Sequence, residues 1–242
     1  MQQRSPVPTA TTRDERLSTG YYIDSAAVGG YVARLLARCR TVFDVKPRLT
    51  ADLDAPAISG LDADRGGVIE DGALCQGNVI VQAGARVEAG AQVVGPALIC
   101  SGSVVGAGAL VRDHSVIGPA CRIGFGADIT RSLLVGHTFA KHPCFIGDSV
   151  LGRRVNIGAF CSTTGLRCDR GPVAEPAIEE ITVNLDGCRI GSGQTKFGAV
   201  IGDEVALPAG TVMSPGTLIG PGTVIYPHNH IGGFLPTGSR AR

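Results

Sequence analysis

The chain has 242 residues, enough for one large domain or two small ones, and 44% of them are apolar, enough for a substantial core. That apolar fraction is built from Val, Ile, Ala and Leu with no Trp and only 5% aromatics, and 35 Gly occur without a Gly-X-Y period, which excludes collagen and argues against disorder. A net charge of +1 excludes a global field for nucleic acid or an acidic membrane.

Residues 1–22, polar and rich in Pro and Thr at their start, are expected to form a flexible tail; they lack the apolar run of a secretion signal. Residues 23–57 are expected to hold one N-terminal helix and a linker. The helix spans 26–43, because Val28, Val32, Leu35, Leu36, Cys39 and Val42 form an apolar stripe at helical spacing. Pro47 and Pro56 then frame a loop over 44–57. No stretch approaches the length of a membrane span.

Residues 58–235 are expected to form a β-solenoid, with an inserted loop at 162–195 and a C-terminal tail over 236–242. Positions 81, 87, 93, 99, 105, 111, 117, 123, 129 and 135 are all Val or Ile. Four residues after each of the first nine comes Ala85, Ala91, Ala97, Ser103, Ala109, Ser115, Cys121, Ala127 or Leu133, all small except the last. A plain strand repeats every two residues and a helix every 3.6, so a strict six marks a chain that turns a corner each hexad. Three hexads close a triangular coil, and the next coil stacks on it by parallel pairing. After Val135 the phase slips, which suggests an insertion at Gly136–Phe145; Ile146, Leu151 and Ile157 resume it, and Ile201, Leu207, Met213, Ile219 and Ile225 complete a second block. A solenoid's ends need caps, and the N-terminal helix and the tail from His228 could supply them. The eight Cys contain no CxxC, and two of them, Cys121 and Cys161, fall on small core positions, so reduced thiols in a cytoplasmic protein are expected.

Chemistry is expected where the hexads fail. His137 and His142 lie in the first irregular segment, and His is the usual proton acceptor near neutral pH. His114 reads as a solvated turn residue, and His228 and His230 as surface or cap. Lys141, Arg153, Arg154, Arg167, Arg170, Arg189 and Lys196 gather around the same irregularity and suit an anionic small molecule such as a sugar phosphate or coenzyme A. The long stretch 162–195 suggests a functional excursion. No dinucleotide fingerprint and no GxSxG elbow occurs in the needed setting.

The run Thr130-Arg-Ser-Leu-Leu-Val-Gly-His-Thr, then Lys141-His-Pro-Cys-Phe-Ile-Gly-Asp-Ser-Val-Leu-Gly-Arg-Arg-Val-Asn-Ile-Gly-Ala159, Gly165-Leu-Arg167 and Thr195-Lys-Phe-Gly-Ala-Val-Ile-Gly-Asp203, resembles the left-handed β-helix domain of sugar-1-phosphate nucleotidylyltransferases. The bifunctional, N-acetylglucosamine-1-phosphate uridylyltransferase-like types are the most similar, and the likeness spans about residues 26–235. It implies an all-β, left-handed parallel β-helix with a short N-terminal helix. The family's separate nucleotidylyl-transfer domain has no room here, so the implied activity is acyl transfer, with acetyl-CoA or another acyl-CoA as co-substrate and no metal. The likeness places the general base at His142 and substrate contacts at His137, Phe145, Asn156, Arg167 and Lys196. It also implies a homotrimer acting on a small molecule, with neither nucleic acid nor membrane as partner. Two departures stand out: the family's His-x-x-Tyr is His142-Pro-Cys-Phe145, and its Asn two residues before the Arg is Gly165. Two alternatives follow: a non-catalytic scaffold or regulatory partner of a sugar nucleotidylyltransferase, and a zinc enzyme like γ-carbonic anhydrase using His137 and His142.

Overall fold

The computed structural model describes residues 15–57, 59–61, 65–167, 171–172, 174–175, 178–227 and 229–242. The solenoid runs from Val68 to Ala241 as three parallel sheets, one of nine strands and two of eight. It is a parallel β-helix of three-sided coils. Consecutive coils stack in register, Val81 on Ile99 and Val87 on Val105, so each inward side chain lies on its equivalent 18 residues away. The column Val81, Val87, Val93, Ile99, Val105, Val111, Ile117, Ile123 and Ile129 is buried inside the prism, with the small residues filling its corners. Buried hydroxyls at some of these small positions bind the backbone of a neighbouring coil; Ser103 Oγ, for example, donates to the Gly118 carbonyl (2.6 Å).

The break after Ile129 is a deletion, not the insertion expected at Gly136–Phe145. Ile129 pairs with Ile146 and Ile123 with Ala140, so these coils are 17 residues long. The lost residue is at the corner after Ile129. The next inward side chain is Leu134, while Val135, expected inside, faces outward with Leu133. The same corner is shortened again between Ile146 and Leu151. In the following coil it opens into the long excursion, whose start at 162 also shifts, because Ser162–Thr163 is still a solenoid strand. A six-residue pattern hides one missing residue as a phase slip, which is why the position looked like an insertion.

The N-terminal segment does not cap an end. It lies across the outer side of one eight-stranded sheet, hereafter the covered face. Tyr22, Tyr31, Val32, Leu35, Leu36, Val45, Leu49 and Leu53 pack on outward Ile80, Leu98, Val116, Leu133, Val135, Val150, Val200 and Leu218. The helix expected over 26–43 is shorter, Gly30–Ala37, and a second helix, Val45–Asp54, replaces the expected loop. Pro47 is tolerated there because it stands in the first turn, where its missing N–H costs no helical bond. Residues 1–14 of the expected tail lie outside the described residues; the rest is ordered, with Leu17 and Tyr22 buried. The expected C-terminal tail contributes the strand Arg240–Ala241, and the segment after His228 builds the last coil.

Two buried corner carboxylates clamp the helical layer at its edges. Asp203 accepts from the Asp24 N–H (3.0 Å) and the Arg153 N–H (2.6 Å), and Asp148 accepts from Lys46 Nζ (2.7 Å). Within the layer, Asp52 takes Tyr31 Oη (3.0 Å), Arg38 and Ser59 Oγ (3.3 Å). The excursion completes the cover. Its antiparallel hairpin, Thr182–Leu185 with Cys188–Gly191, buries Ile181, Val183 and Leu185 against the same apolar layer. Much of the stretch expected to be functional therefore works as packing. No helix among the described residues is long and apolar enough to cross a membrane.

Candidate functional site

The six candidate residues fall within two successive coils and the feet of the excursion, but on different edges. His142 is exposed at the corner joining the nine-stranded face to the open eight-stranded face. It follows the inward Ala140, and the equivalent corner positions in the coils before and after it carry Phe125 and, one residue further along, Phe160. Both rings are 71% exposed, and Phe139 beside them carries Lys141 Nζ over its ring at 5.2 Å. Water-exposed aromatics are costly, and three of the chain's seven Phe stand around this one corner. Sequence reasoning missed them, although the corner spacing of Phe125 and Phe160 relative to His142 was visible.

Phe145 lies outward on the open face, between Asp128 and Ser162 of the adjoining strands. Its ring rests over Gly147, where a Cβ would come within 2.8 Å of it. Gly147 is thus needed for that ring to lie along the strand toward the next corner.

That next corner, between the open and covered faces, is the shortened one. Arg131 and Asp148 occupy it in successive coils with positive φ of 47° and 55°. Arg131 Nε and Nη2 donate to both Asp148 oxygens (3.0 and 3.1 Å), and Lys46 Nζ donates to Oδ1. Burial by itself would raise the Asp148 pKa, but the Arg131 and Lys46 hydrogen bonds outweigh it and hold the carboxyl below its ordinary value. Lys46 is pulled below its ordinary value, first by burial, against the opposing pull of Asp148. The two feet of the excursion meet here. Phe197 N–H donates to the Gly165 carbonyl (2.9 Å), and Gly198 N–H to the Asp148 carbonyl (2.9 Å). Arg167, half-buried, and Lys196, exposed, stand on the outgoing and returning foot. A Cβ at Gly165 would lie 2.7 Å from Asp148 Oδ2, so the carboxylate itself excludes a side chain there.

Asn156 is exposed on the nine-stranded face between Phe139 and Ala206, lining a shallow pocket of about 250 Å³ with Glu204, Pro208 and Val224. His137 is exposed at the third corner, with a φ of 50°. So the fold brings Arg167 and Lys196 together and leaves His142, Asn156 and His137 on other edges of the prism. Six residues separate His142 from Asp148, at most roughly 20 Å along extended chain. A zinc site built on both His137 and His142 has no support, because they stand on different corners. Among the described residues no three His, Cys, Asp or Glu side chains gather into a metal-holding group. His114 is not a free turn residue: its Nε2 is 2.7 Å from Asp54 Oδ1, tying a corner to the second helix. A larger cavity, about 540 Å³, lies between Gly20–Asp24 and the Asp203, Pro221 and Thr237 corners and shares Glu204 and Gly222 with the Asn156 pocket.

The profile of a family described as GMPPB C-terminal domain matches residues 93–214, which is 122 of 242 positions. The chain belongs to the GMPPB C-terminal domain family. The matched region covers His137, His142, Phe145, Asn156, Arg167 and Lys196, and excludes both N-terminal helices. Among curated relatives, the "Bifunctional protein GlmU" of Methanococcus vannielii is 41% identical over 139 residues, covering 57% of this chain and 31% of that one. The "Bifunctional sugar-1-phosphate nucleotidylyltransferase/acetyltransferase" of Sulfurisphaera tokodaii is 32% identical over 161 residues, covering 66% of this chain and 38% of that one. The chain thus spans about a third of the length of these relatives. Among solved structures, "UDP-N-acetylglucosamine acyltransferase from Campylobacter jejuni" covers 72% of this chain and 64% of its own at 18% identity, with a TM-score of 0.25, too low to bear on the argument.

Proposed function

We propose that this member of the GMPPB C-terminal domain family is a coenzyme-A-dependent acyltransferase that acetylates an amino-sugar phosphate or a related amine. The observation that carries it is His142, exposed on the edge between two open faces and framed by Phe125, Phe139 and Phe160. The names of the two curated relatives, one printed as an acetyltransferase, support the same reading. In the proposed step the amine nitrogen attacks the thioester carbonyl of acetyl-CoA and forms the C–N bond. His142 takes the proton the amine sheds, the C–S bond breaks, and the thiolate of coenzyme A leaves and is protonated. Arg167 and Lys196 would hold the phosphate, while Phe145, Asn156 and His137 line the acceptor's surroundings.

His142 and the Arg167–Lys196 pair lie on opposite edges of one open face, so one acceptor does not reach both within a single chain. A homotrimer with sites between subunits supplies the missing side, with the covered face turned away. The test is acetyl transfer from acetyl-CoA to a panel of amines and amino-sugar phosphates. His142→Ala is expected to lower kcat by about 10²–10⁴-fold, the usual worth of a general base, and to leave thermal stability unchanged because the side chain is exposed. No transfer to any acceptor, or a variant as active as wild type, would overturn it.

Two observations favour a second reading. Phe145 offers no hydroxyl, and Asp148 forbids a side chain at position 165. A scaffold partnering a sugar nucleotidylyltransferase would tolerate both. Binding of such a purified enzyme, together with no binding of acetyl-CoA in calorimetry, would select that reading.

A further inference from the structure

Lys46 stands in the first turn of the helix Val45–Asp54, where a cation opposes the helix dipole. It lies outside the matched residues 93–214. Yet its ammonium is inserted into the corner that carries the phosphate-binding candidates. The side chain is 13% exposed, and Nζ donates to Asp148 Oδ1 (2.7 Å) and to the backbone carbonyl of Lys196 (2.5 Å). Two neighbouring contacts hold the same returning foot. Gln194 Nε2 donates to the Phe43 carbonyl (3.0 Å), and the Phe43 and Phe197 rings meet edge to face at 5.3 Å. Residues 43–46 therefore grip residues 194–197, with Lys196 at the centre of the grip.

We propose that Lys46 is a positioning residue for the phosphate subsite: by holding the Lys196 carbonyl and the Asp148 carboxylate, it fixes the backbone from which Lys196 and Arg167 meet an anionic acceptor. This rests on the acyltransferase reading for the identity of the acceptor, but not for the existence of the anion site. The charge balance fits. Lys46, Arg131 and Arg112 are matched along this edge by Asp148, Asp113 and Asp128, so the ion network balances itself and exposed Lys196 is a cation beyond it. A phosphate dianion would pair with Lys196 and Arg167 beside that balanced network, whereas a neutral sugar offers them no charge. The N-terminal helical layer is then part of the site as well as the cover of one face.

The full chain is titrated with inorganic phosphate, followed by ³¹P NMR, and KM and kcat are measured for a phosphorylated amine. Lys46→Met, close in length but uncharged, is compared with Lys46→Arg and with Tyr31→Phe, which perturbs the same helical layer far from the corner. Lys46→Met is expected to weaken phosphate binding at least tenfold and raise the acceptor KM by a similar factor, with kcat within about threefold. Lys46→Arg should recover most of the affinity, and Tyr31→Phe should match wild type. Phosphate affinity unchanged in Lys46→Met, or lowered equally by Tyr31→Phe, overturns the proposal, as does wild-type protein that binds no phosphate. Phosphate binding without acyl transfer would sink the acyltransferase reading and leave this one standing.

Discussion

Asp148→Asn isolates the ion cluster at the shortened corner. The amide keeps the shape of the carboxylate and removes its charge. The wild-type side chain is 5% exposed and takes two bonds from Arg131 and one from Lys46. Losing one member of a buried pair costs about 3–5 kcal/mol, because the partner's charge stays buried without compensation. Arg131 softens the loss, being 33% exposed and also 3.3 Å from Asp113, whereas Lys46 has no second carboxylate among the described contacts. The low end, about 3 kcal/mol, is therefore expected, or roughly 6–12 °C in Tm for a domain of this size. The pH dependence follows from the depressed Asp148 pKa. A carboxyl held below its unfolded value stabilises the fold above that value, near pH 4, and the contribution is lost as pH falls through the folded value. Thermal or urea melts of wild type and variant from pH 7 to pH 2.5 should therefore show a deficit that closes below about pH 4. Asp128→Asn, whose partner Arg112 is 30% exposed, serves as the surface comparison and should cost under about 1 kcal/mol. A deficit of the same size as the comparison, or one that persists unchanged to pH 2.5, would refute the reasoning.

Two other outcomes follow from the packing. Val183→Asp, in the excursion hairpin, places a carboxylate at a position 2% exposed against the covered face, and should lower stability by more than about 2 kcal/mol in chemical denaturation; a free functional loop would give no change. Thiol labelling of the native protein should be fast at exposed Cys188 and slow at Cys121 and Cys144, whose thiols burial pushes up to about 12, with the slow sites reacting on unfolding; rapid labelling of Cys121 would contradict the packed interior.

The solenoid was legible because its inward residues obey a period that no other element shares. Val81 to Ile129 needed only counting, and each residue predicted its stacking partner. Val135 was misread because one deleted corner residue moves every later inward position by one, and Leu134 and Val135 are both apolar. Composition cannot separate them when the outer side of the sheet is itself buried, as it is here. The helix Val45–Asp54 was hidden by Pro47, which breaks a helix anywhere but in its first turn. The candidate site was named residue by residue from a resemblance, and its arrangement was not legible. His142 stands on a different edge from Arg167 and Lys196, and the partnership of Lys46 with Asp148 spans 102 positions and leaves no local pattern.

The cover of one face decides what the remaining surface can do. A triangular prism has three faces, and here two layers from the same chain, the N-terminal helices and the excursion hairpin, close one of them. The contacts open to a second copy or a ligand are then the nine-stranded face, the other eight-stranded face and the edge between them. That edge carries His142, Phe125 and Phe160, and the far rim of the adjoining open face carries Lys196 and Arg167. The shortened corner serves both halves of this arrangement. By dropping one residue, it draws Asp148 inward to meet Lys46, locking down the cover, and in the next coil it releases the chain into the excursion that presents Arg167 and Lys196. Fold closure and the anion-binding candidates therefore depend on the same few residues. A variant that loosens this corner should disturb phosphate binding before it disturbs the distant His142 edge.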